Sequence, residues 1–281
     1  MRLDRALCER FGLSRAQAKR LIDQGGVRLY GKPVQKGMVL TAGAKLTVTL
    51  LDDVVALPDP EMKLTVLFED DWLVIVDKPP LVPSHPLRAG ELGCAANMLL
   101  ARYPEMASVG YGPREPGLVH RLDNDTSGLL IAARTQQAFE AMRTALGSGD
   151  ISKAYLALVS RAVTVPRRVS LALEPSQKNS RRVDVSSDPH ARPSVTELVR
   201  CTRRDRFHLL EAHASHAYRH QIRAHLAAID APIVGDVLYG GEHVAGIDRH
   251  LLHAARVSFS HPFTERPIEV ESPLPGDWPE G

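Results

Sequence analysis

The sequence contains few cysteines and no long apolar run. Its three cysteines, Cys8, Cys94 and Cys201, are odd in number and far apart, which argues against a disulfide framework and a cysteine-based zinc site. No stretch approaches the roughly 18 consecutive apolar residues of a membrane-spanning helix. The N-terminal residues also lack the apolar core of a secretory signal. We therefore expect a cytoplasmic protein that does not bind a membrane.

The net charge is small overall, but positive charge is concentrated near the N-terminus. The 281 residues carry a net charge of +2, yet residues 1–50 hold ten Lys and Arg against three acids, a local charge of +7. The remainder then carries −5. This asymmetry is typical of a polyanion-binding module attached to a body with another function. Because the length also exceeds that of most single domains, we predict domains at 1–51 and 63–281, joined by an acidic, proline-containing linker at 52–62.

The basic module begins with helices and continues with strands. Ser14 and Gln17 fit a capping box that opens a helix ending at Gly25-Gly26. Strands are predicted at 27–30 and 45–50, with a turn at 31–33. A run of charges usually only keeps a surface soluble, but the single sign of these charges favours phosphate contact. The candidate phosphate-binding side chains are those of Arg2, Arg5, Arg15, Lys19, Arg20, Arg28 and Lys32.

The rest of the chain is dominated by short apolar runs. Thr135 is a predicted N-cap of a helix whose apolar face contains Ala138, Phe139, Met142 and Leu146. The pattern predicts an α+β body with a large mixed, mainly antiparallel sheet flanked by helices, preceded by a small α/β domain. The predicted strands are at 64–68, 72–76, 128–133, 155–159, 198–201, 207–211 and 257–259.

The polar segment 117–129 is dense in potential catalytic groups and precedes a buried strand. Asp123, Asp125, Ser127 and Gly128 fit the first positions of a calcium-binding EF-hand loop, but the twelfth position is Arg134 instead of glutamate. We therefore reject calcium. A lone aspartate at position 123 is otherwise most often a turn cap or a structural partner of a nearby arginine.

A cluster of histidines suggests a metal site. Four histidines are close in sequence: His213, His216, His220 and His225. His216 and His220 would chelate a metal if they lay on one helix. However, the chain has neither a His-Glu-x-x-His pattern nor a nearby cysteine pair. We predict neither a metal nor another cofactor.

The segment His120-Arg121-Leu122-Asp123-x-x-Thr126-Ser127-Gly128-Leu129 resembles the signature loop of the RluA-type pseudouridine synthases. Further family-like segments follow in the expected order, and the resemblance covers residues 64–275. Residues 1–50 are similar to the alpha-L RNA-binding module found in front of these synthases and in some ribosomal proteins. The other segments are Lys78-Pro79-Pro80, Lys153-Ala154-Tyr155, Ala191-Arg192-Pro193-Ser194-Val195-Thr196, His220-Gln221-Ile222-Arg223, Gly235-Asp236-Val237-Leu238-Tyr239 and Leu251-Leu252-His253-Ala254.

The resemblance implies an isomerase that converts uridine in RNA to pseudouridine. Asp123 matches the essential carboxylate, which would act on a nucleotide flipped out of the RNA stack. Arg223 is the expected counter-ion of Asp123, and Arg121 is a second candidate for contact with a phosphate or carboxylate. Tyr155 matches a tyrosine that stacks on the base and is a candidate for removing the C5 proton after the base has rejoined the sugar. The resemblance also implies that ribosomal RNA is the favoured substrate, with transfer RNA as the alternative, and a monomer is the default expectation.

One segment departs from the family pattern. Ala217-Tyr218-Arg219 stands where the family has Gly-Arg-Thr or Gly-Arg-Ser, which predicts altered RNA contacts or a different target. Two other functions compete with the synthase. One alternative is a non-catalytic RNA-binding protein on a synthase scaffold. The other is a hydrolase that uses Asp123 and Asp125 as paired carboxylates.

Overall fold

The computed structural model describes residues 1–279 apart from 14, 24, 36, 42, 49–53 and 217, and the side chains at 16, 17 and 20 are also left undescribed. The chain divides into two compact units, Met1–Asp53 and Val54–Gly281. None of the described helices has the length and apolar character that a membrane span requires. The predicted linker overlaps the second unit, where Ala56 is buried and donates its N–H to the Pro113 carbonyl at 2.9 Å.

The first unit consists of two helices and a small antiparallel sheet. Helices α1 (Leu3–Phe11) and α2 (Arg15–Asp23) precede strands β1 (Val27–Leu29), β2 (Lys32–Pro33) and β3 (Leu46–Val48), in the order β2-β1-β3. A small apolar core explains the fold, because each helix turns one apolar stripe towards the sheet. That core contains Leu3, Leu7, Ala18, Leu21, Ile22 and Val27.

Two sequence predictions for this unit need comment. The turn predicted at 31–33 lies at residues 30–31 instead, and Lys32 already pairs with Leu29 of the neighbouring strand. Gly31, with a φ of 78°, provides the left-handed conformation that this tight reversal needs. The capping box predicted at Ser14 lies outside the described residues.

A large sheet forms the centre of the second unit. It consists of β4 (Thr65–Glu69), β5 (Leu73–Lys78), β6 (Ser127–Ala133), β7 (Ser152–Val159), β8 (Arg167–Pro175), β9 (Val183–Ser186), β10 (Arg192–Arg204), β11 (Phe207–His213), β12 (Leu252–Ser260) and β13 (Pro267–Glu271). Its strands follow the order β4-β5-β6-β12-β7-β11-β10-β8-β9, and β13 pairs with β12. β6 and β12 are parallel, whereas the other pairs are antiparallel, so the prediction of a mixed, mainly antiparallel sheet is confirmed.

Helices cover both faces of this sheet. Helix α4 (Gln136–Ser148) packs on the face that contains Leu73, Ile75 and Leu129. Helices α3 (Ala95–Arg102) and α5 (Gln221–Ala228) share a core with the alternate side chains of β5 and β6. Two short 3-10 helices, Pro104–Ser108 and Val237–Tyr239, complete this unit. Strands buried on both faces read as continuous apolar runs, which is why β5 and β6 are visible in the sequence.

Helix α4 confirms its sequence prediction in detail. Thr135 accepts the N–H of Ala138 through its side-chain oxygen at 3.1 Å, as an N-cap does. Ala138, Phe139 and Met142 are buried. The helix ends at Gly149, whose φ of 88° is the left-handed conformation common after a helix.

Candidate active site

The loop before β6 carries Asp123 and is held at both neighbouring residues. The Ser84 hydroxyl donates to the Leu122 carbonyl at 2.9 Å and accepts the Leu122 N–H at 3.1 Å. Within the loop, the Thr126 N–H donates to the Asp123 carbonyl at 3.1 Å. These contacts fix the backbone on both sides of Asp123, which orients its carboxylate.

Lys78, at the end of β5, joins this loop to a neighbouring turn. Its fully buried ammonium donates to the carbonyls of Pro79, Val82 and Asn124 at 3.0, 2.8 and 3.0 Å. Three acceptors match the three N–H groups of a charged lysine. Burial lowers the pKa of Lys78 to about 7, although the charges of Asp123 and Asp125 act in the opposite direction.

The other end of the loop is anchored to β12 and the residues before it. The Thr126 hydroxyl lies 2.8 Å from His250 Nε2, and the Ser127 hydroxyl lies 3.0 Å from His253 Nδ1. Gly128, with a φ of 104°, lies so close to β12 that an added Cβ would stand 2.2 Å from the Ala254 carbonyl oxygen. Only glycine therefore fits at this position.

Arg223 on α5 lies between two carboxylates. It donates through Nη1 to Asp123 Oδ2 at 2.9 Å, and through Nε and Nη2 to the two oxygens of Asp236 at 2.7 and 2.8 Å. The Arg223 side chain is only 7% exposed and that of Asp236 only 1%, whereas 24% of the Asp123 side chain remains accessible. Asp236 thus fixes the guanidinium in a bidentate pair, and Arg223 in turn orients the accessible Asp123.

The electrostatics keep Asp123 ionised. Burial by itself raises the pKa of Asp123, but the neighbouring basic groups His220, Arg223 and His250, together with the hydrogen bond from Arg223, lower the pKa below the ordinary aspartate value. Burial also lowers the pKa of His220 to about 4, so this imidazole is neutral at neutral pH. The lasting positive charge beside Asp123 is therefore that of Arg223.

Tyr155 and His220 complete the surroundings of Asp123. Tyr155 is buried on β7, and its pKa is raised first by burial and then by the negative charge of Asp123. His220 Nε2 lies 3.6 Å from Asp123 Oδ2, while its Nδ1 lies 3.1 Å from the hydroxyl of Tyr239. Asp123, Tyr155 and Arg223, predicted from three separate segments, thus lie around one centre.

Arg121 lies apart from this centre. Its side chain is about half exposed and donates to Glu115 at 3.0 Å, and it is also 3.0 Å from His85 Nε2. It makes no hydrogen bond or ion pair with Asp123 among the described residues. Its predicted role in phosphate contact stays a prediction.

The four histidines considered as metal ligands have separate partners. His213 lies 3.0 Å from Glu211, and His225 lies 2.9 Å from the hydroxyl of Thr196. His216 contacts the Gly147 carbonyl at 2.9 Å, and His220 faces Asp123. Each of these contacts is accounted for by local structure or by the Asp123 centre.

The basic side chains of the first unit are exposed where they are described. Arg2 pairs with Asp4 at 3.0 Å and Arg5 with Glu9 at 2.7 Å, so part of their charge is neutralised locally. Arg28 donates to the Gly31 carbonyl. The side chain of Arg20 lies outside the described residues. The remaining predicted contacts, all exposed, are Arg15, Lys19 and Lys32.

The departure at 217–219 places Arg219 against the loop between β8 and β9. Arg219 Nη2 donates to the carbonyls of Arg181 and Ser180 at 2.6 and 3.2 Å. The guanidinium of Arg192 lies 5.3 Å from the ring centre of Tyr218. This arrangement ties α5 to a basic loop, and its predicted effect on RNA contacts stays a prediction.

Sequence reasoning missed several residues of the site. Lys78 and Asp236 lie in segments that resemble the family, but no role was predicted for them. His220 was interpreted only as a possible metal ligand. The available signal was their type, because a lysine or aspartate at the end of an apolar segment needs a buried partner. His250, whose Nδ1 lies 3.7 Å from Asp125 Oδ2, was not predicted as part of this centre.

Comparison with known protein families identifies two regions. Residues 72–228 match the model of the RNA pseudouridylate synthase family, and residues 1–46 match that of the S4 domain. The first match lies in the second structural unit and includes Asp123, Tyr155 and Arg223. The second lies entirely within the basic first unit.

Curated relatives align along almost the whole chain. Ribosomal large subunit pseudouridine synthase D of Xanthomonas campestris pv. campestris is 34% identical over 292 residues, which covers 98% of this chain and 86% of that protein. The protein of the same name from Vibrio parahaemolyticus is 31% identical over 294 residues, covering 98% of this chain and 88% of that protein. The resemblance noted in the sequence is therefore confirmed.

The fold is shared with solved structures. Human RNA Pseudouridylate Synthase Domain Containing 1 superimposes with a TM-score of 0.61 at 23% identity, covering 80% of this chain and 91% of that one. The chain belongs to the RNA pseudouridylate synthase family and carries an N-terminal S4 domain. It is thus an isomerase that acts on uridine in RNA.

Proposed function

We propose that this chain converts specific uridines of ribosomal RNA into pseudouridine, with Asp123 as the essential carboxylate. The observation that carries the proposal is the asymmetry of this carboxylate. Oδ2 accepts a hydrogen bond from Arg223, whereas Oδ1 has no hydrogen-bond partner within the described part of the chain. An ionised oxygen without a partner, on a partly accessible side chain, is available to a substrate.

The chemistry needs such an oxygen. Pseudouridine formation breaks the bond between uracil N1 and ribose C1′, rotates the base, and forms a bond from C5 to C1′. The C5 proton is released to water and N1 takes up a proton, so the product is an isomer of uridine. A carboxylate either attacks the electrophilic sugar carbon or removes a neighbouring sugar proton. Both routes require an anionic Asp123, which is the state that Arg223 stabilises.

The base and the flanking RNA would be held by other residues. A uridine stacked in RNA cannot present its sugar carbon to a side chain, so the target nucleotide is flipped towards Asp123. Tyr155, buried beside Asp123, stacks on the flipped base. Arg121, exposed on the same loop, contacts the RNA backbone after leaving Glu115.

The relatives point to ribosomal RNA as the proposed target, and the S4 domain supports binding to RNA in general. The Xanthomonas and Vibrio relatives are named for the large ribosomal subunit. The S4 domain also presents cationic side chains, which supply affinity for phosphate independently of sequence. Lys19 and Arg15, four residues apart on α2, share one exposed face and are proposed contacts.

The proposal is tested with Asp123→Asn. Large-subunit ribosomal RNA is transcribed with uridine tritiated at C5 and incubated with the protein, and tritium released to water is counted. We expect the wild type to release tritium, and Asp123→Asn to lose release by a factor of about 1,000 or more, as expected when an essential catalytic group is removed. RNA binding, measured by filter retention, is expected to change less than about three-fold, because phosphate contacts supply most of the affinity.

The controls separate the alternatives. Asp71→Asn, at an exposed position between β4 and β5, is expected to keep full release. A non-catalytic RNA-binding protein would release no tritium in any form, and a hydrolase would leave abasic sites. Tritium release that survives Asp123→Asn would remove this carboxylate from the proposed role.

A further inference from the structure

Tyr111 is the most exposed large apolar side chain among the described residues, with 81% of the residue accessible to solvent. It follows Gly110 and precedes Gly112 in the segment that leads to the catalytic loop. A scattered apolar residue on a surface is ordinary, but an aromatic ring loses more by exposure than other side chains because it has a large area to bury. Its rigid support and the charge beside it distinguish Tyr111 from such residues.

The loop that carries Tyr111 is closed and supported from below. The Gly117 N–H donates to the Val109 carbonyl at 2.8 Å and closes the base of the loop. The Tyr111 ring stands edge-to-face against that of Phe139 on α4, with 4.9 Å between the ring centres. Since Phe139 is buried in the core, the Tyr111 ring is held in place while most of its surface stays open.

A positive charge lies beside the ring. The Arg143 guanidinium is 5.5 Å from the ring centre of Tyr111, within the range of a cation–π contact. It donates through Nη1 to the Val119 carbonyl at 2.8 Å, while its buried Nε has no hydrogen-bond partner. Arg143 forms no ion pair within the part of the chain that the structure describes, so its charge is not neutralised locally. An open aromatic ring next to such a charge suits a ligand that combines flat bases with phosphates.

The same loop is connected to the catalytic loop. Glu115 accepts a hydrogen bond from Arg121 at 3.0 Å, and Arg121 is two positions before Asp123 in the sequence. A cavity of about 180 Å³ is lined by both Tyr111 and Glu115. An RNA strand whose uridine meets Asp123 therefore has flanking nucleotides within reach of Tyr111.

We propose that Tyr111 is a stacking platform for an unpaired base that flanks the target uridine, with Arg143 beside it attracting the RNA backbone. The proposal rests on the RNA substrate of the proposed function and adds a subsite outside the pocket of the reacting nucleotide. RNA is recognised mainly at unpaired bases that stack on aromatic side chains. Such stacking tolerates any base, because every base has a π-face. Since Tyr111 contacts no reacting atom, it is a positioning residue.

Three variants separate stacking from apolar contact. Tyr111→Phe keeps the ring, Tyr111→Leu keeps apolar bulk beside Phe139, and Tyr111→Ala removes both. Their thermal unfolding midpoints are expected to stay within about 2 °C of the wild type, because the side chain is largely exposed. Leu57→Ala, which shortens another exposed apolar side chain of the second unit, is the control.

The RNA is chosen by binding, so the test does not depend on turnover. Fragments of large-subunit ribosomal RNA are ranked by filter retention with the wild type. The fragment that binds most tightly is synthesised with an abasic nucleotide at each unpaired position in turn, and Kd is measured for every combination of protein and RNA. For fragments that release tritium, kcat and KM are measured as well.

On the unmodified fragment we expect Tyr111→Ala and Tyr111→Leu to bind about ten-fold more weakly than the wild type, the effect of losing one stacked base. Tyr111→Phe and Leu57→Ala are expected to stay within about two-fold. One abasic position should weaken the wild type by about ten-fold and leave Tyr111→Ala unchanged, because both changes remove the same contact. Tyr111→Ala should raise KM while kcat stays within about two-fold, as when binding outside the reacting centre is lost.

Three results overturn the platform alone. They are equal binding by Tyr111→Ala and the wild type, wild-type binding by Tyr111→Leu, and abasic positions that weaken Tyr111→Ala and the wild type equally throughout. Absence of tritium release by the wild type from every fragment overturns the proposed function instead, while the Kd values still decide whether Tyr111 stacks on a base.

Discussion

The pairing of Arg223 with two carboxylates leads to a quantitative prediction. Arg223→Met removes the hydrogen bond to Asp123 at 2.9 Å and both hydrogen bonds to Asp236, whose side chain is almost fully buried. Removing one partner of a buried pair costs about 3–5 kcal/mol, because the remaining charge is left without compensation. We therefore expect the free energy of unfolding to fall by about 4 kcal/mol.

The same change acts on the chemistry. Loss of Arg223 removes both a positive charge and a hydrogen bond that lower the pKa of Asp123, so this pKa rises and the acid limb of the pH–rate profile moves to higher pH. On the acid limb, a charge interaction of about 4 kcal/mol, the value for unit charges 4 Å apart near a protein surface, corresponds to a loss of roughly 1,000-fold in the ionised fraction of Asp123 and so in the rate. In the wild type, the pKa of Asp123 is lower in the folded than in the unfolded state. Ionised Asp123 therefore stabilises the fold at pH values above the unfolded pKa of about 4. That contribution is lost as the pH falls through the lower folded value.

Urea unfolding and tritium release measured from pH 4 to pH 9 check both statements. Arg223→Lys keeps the charge but loses the bidentate geometry, so its acid limb is expected to lie between those of the wild type and Arg223→Met. Arg102→Met, which removes an exposed pair with Glu69, is the control and should change the free energy of unfolding by less than about 1 kcal/mol. A pH–rate profile of Arg223→Met that superimposes on the wild-type profile would refute the assigned role of this guanidinium.

Two further predictions concern the support of the catalytic loop. Gly128→Ala is expected to lower the free energy of unfolding by about 3 kcal/mol or more, because the new Cβ would clash with the Ala254 carbonyl. Gly147→Ala, where nothing lies within 4 Å of the added atom, is expected to be neutral or slightly stabilising in the same urea titration. The buried Arg249 guanidinium donates to Asp277 and also to a carbonyl of the catalytic loop. Asp277→Asn weakens this ion pair. We expect the free energy of unfolding to fall by about 1–3 kcal/mol, less than for a fully buried pair because Asp277 is partly exposed. Unchanged urea midpoints of Gly128→Ala and Asp277→Asn would contradict the two assignments.

The parts of the fold visible in the sequence are those with continuous burial. All seven residues of β6 are buried, and this strand appears as an uninterrupted apolar run. β8, β9 and β13 were not predicted. β8 has only Val169 and Leu173 buried among its nine residues, so arginine, serine and glutamate interrupt its pattern. β8 is defined by its pairing with β10, and the local sequence of β8 contains no pattern that indicates this pairing.

For the candidate site, the sequence indicated the participants but not the supporting contacts. Asp123 and Arg223 are 100 positions apart in the chain, so no local pattern connects them. The family resemblance identified the two segments that carry them. The bidentate contact of Asp236 with Arg223, and the three carbonyls around Lys78, depend on how the sheet brings distant segments together. Residue type alone cannot specify these partners, because many carbonyls and carboxylates compete for them.

The anchoring of the catalytic loop by β12 bears on how the enzyme is made. During translation the segment containing Asp123 is synthesised well before His250 and His253, which hold Thr126 and Ser127 in the folded protein. A nascent chain that has already emerged through β7 therefore possesses its carboxylate and Tyr155 but lacks their framework. The framework around Asp123 is completed only once β12 lies between β6 and β7, so this site is among the last parts of the fold to form.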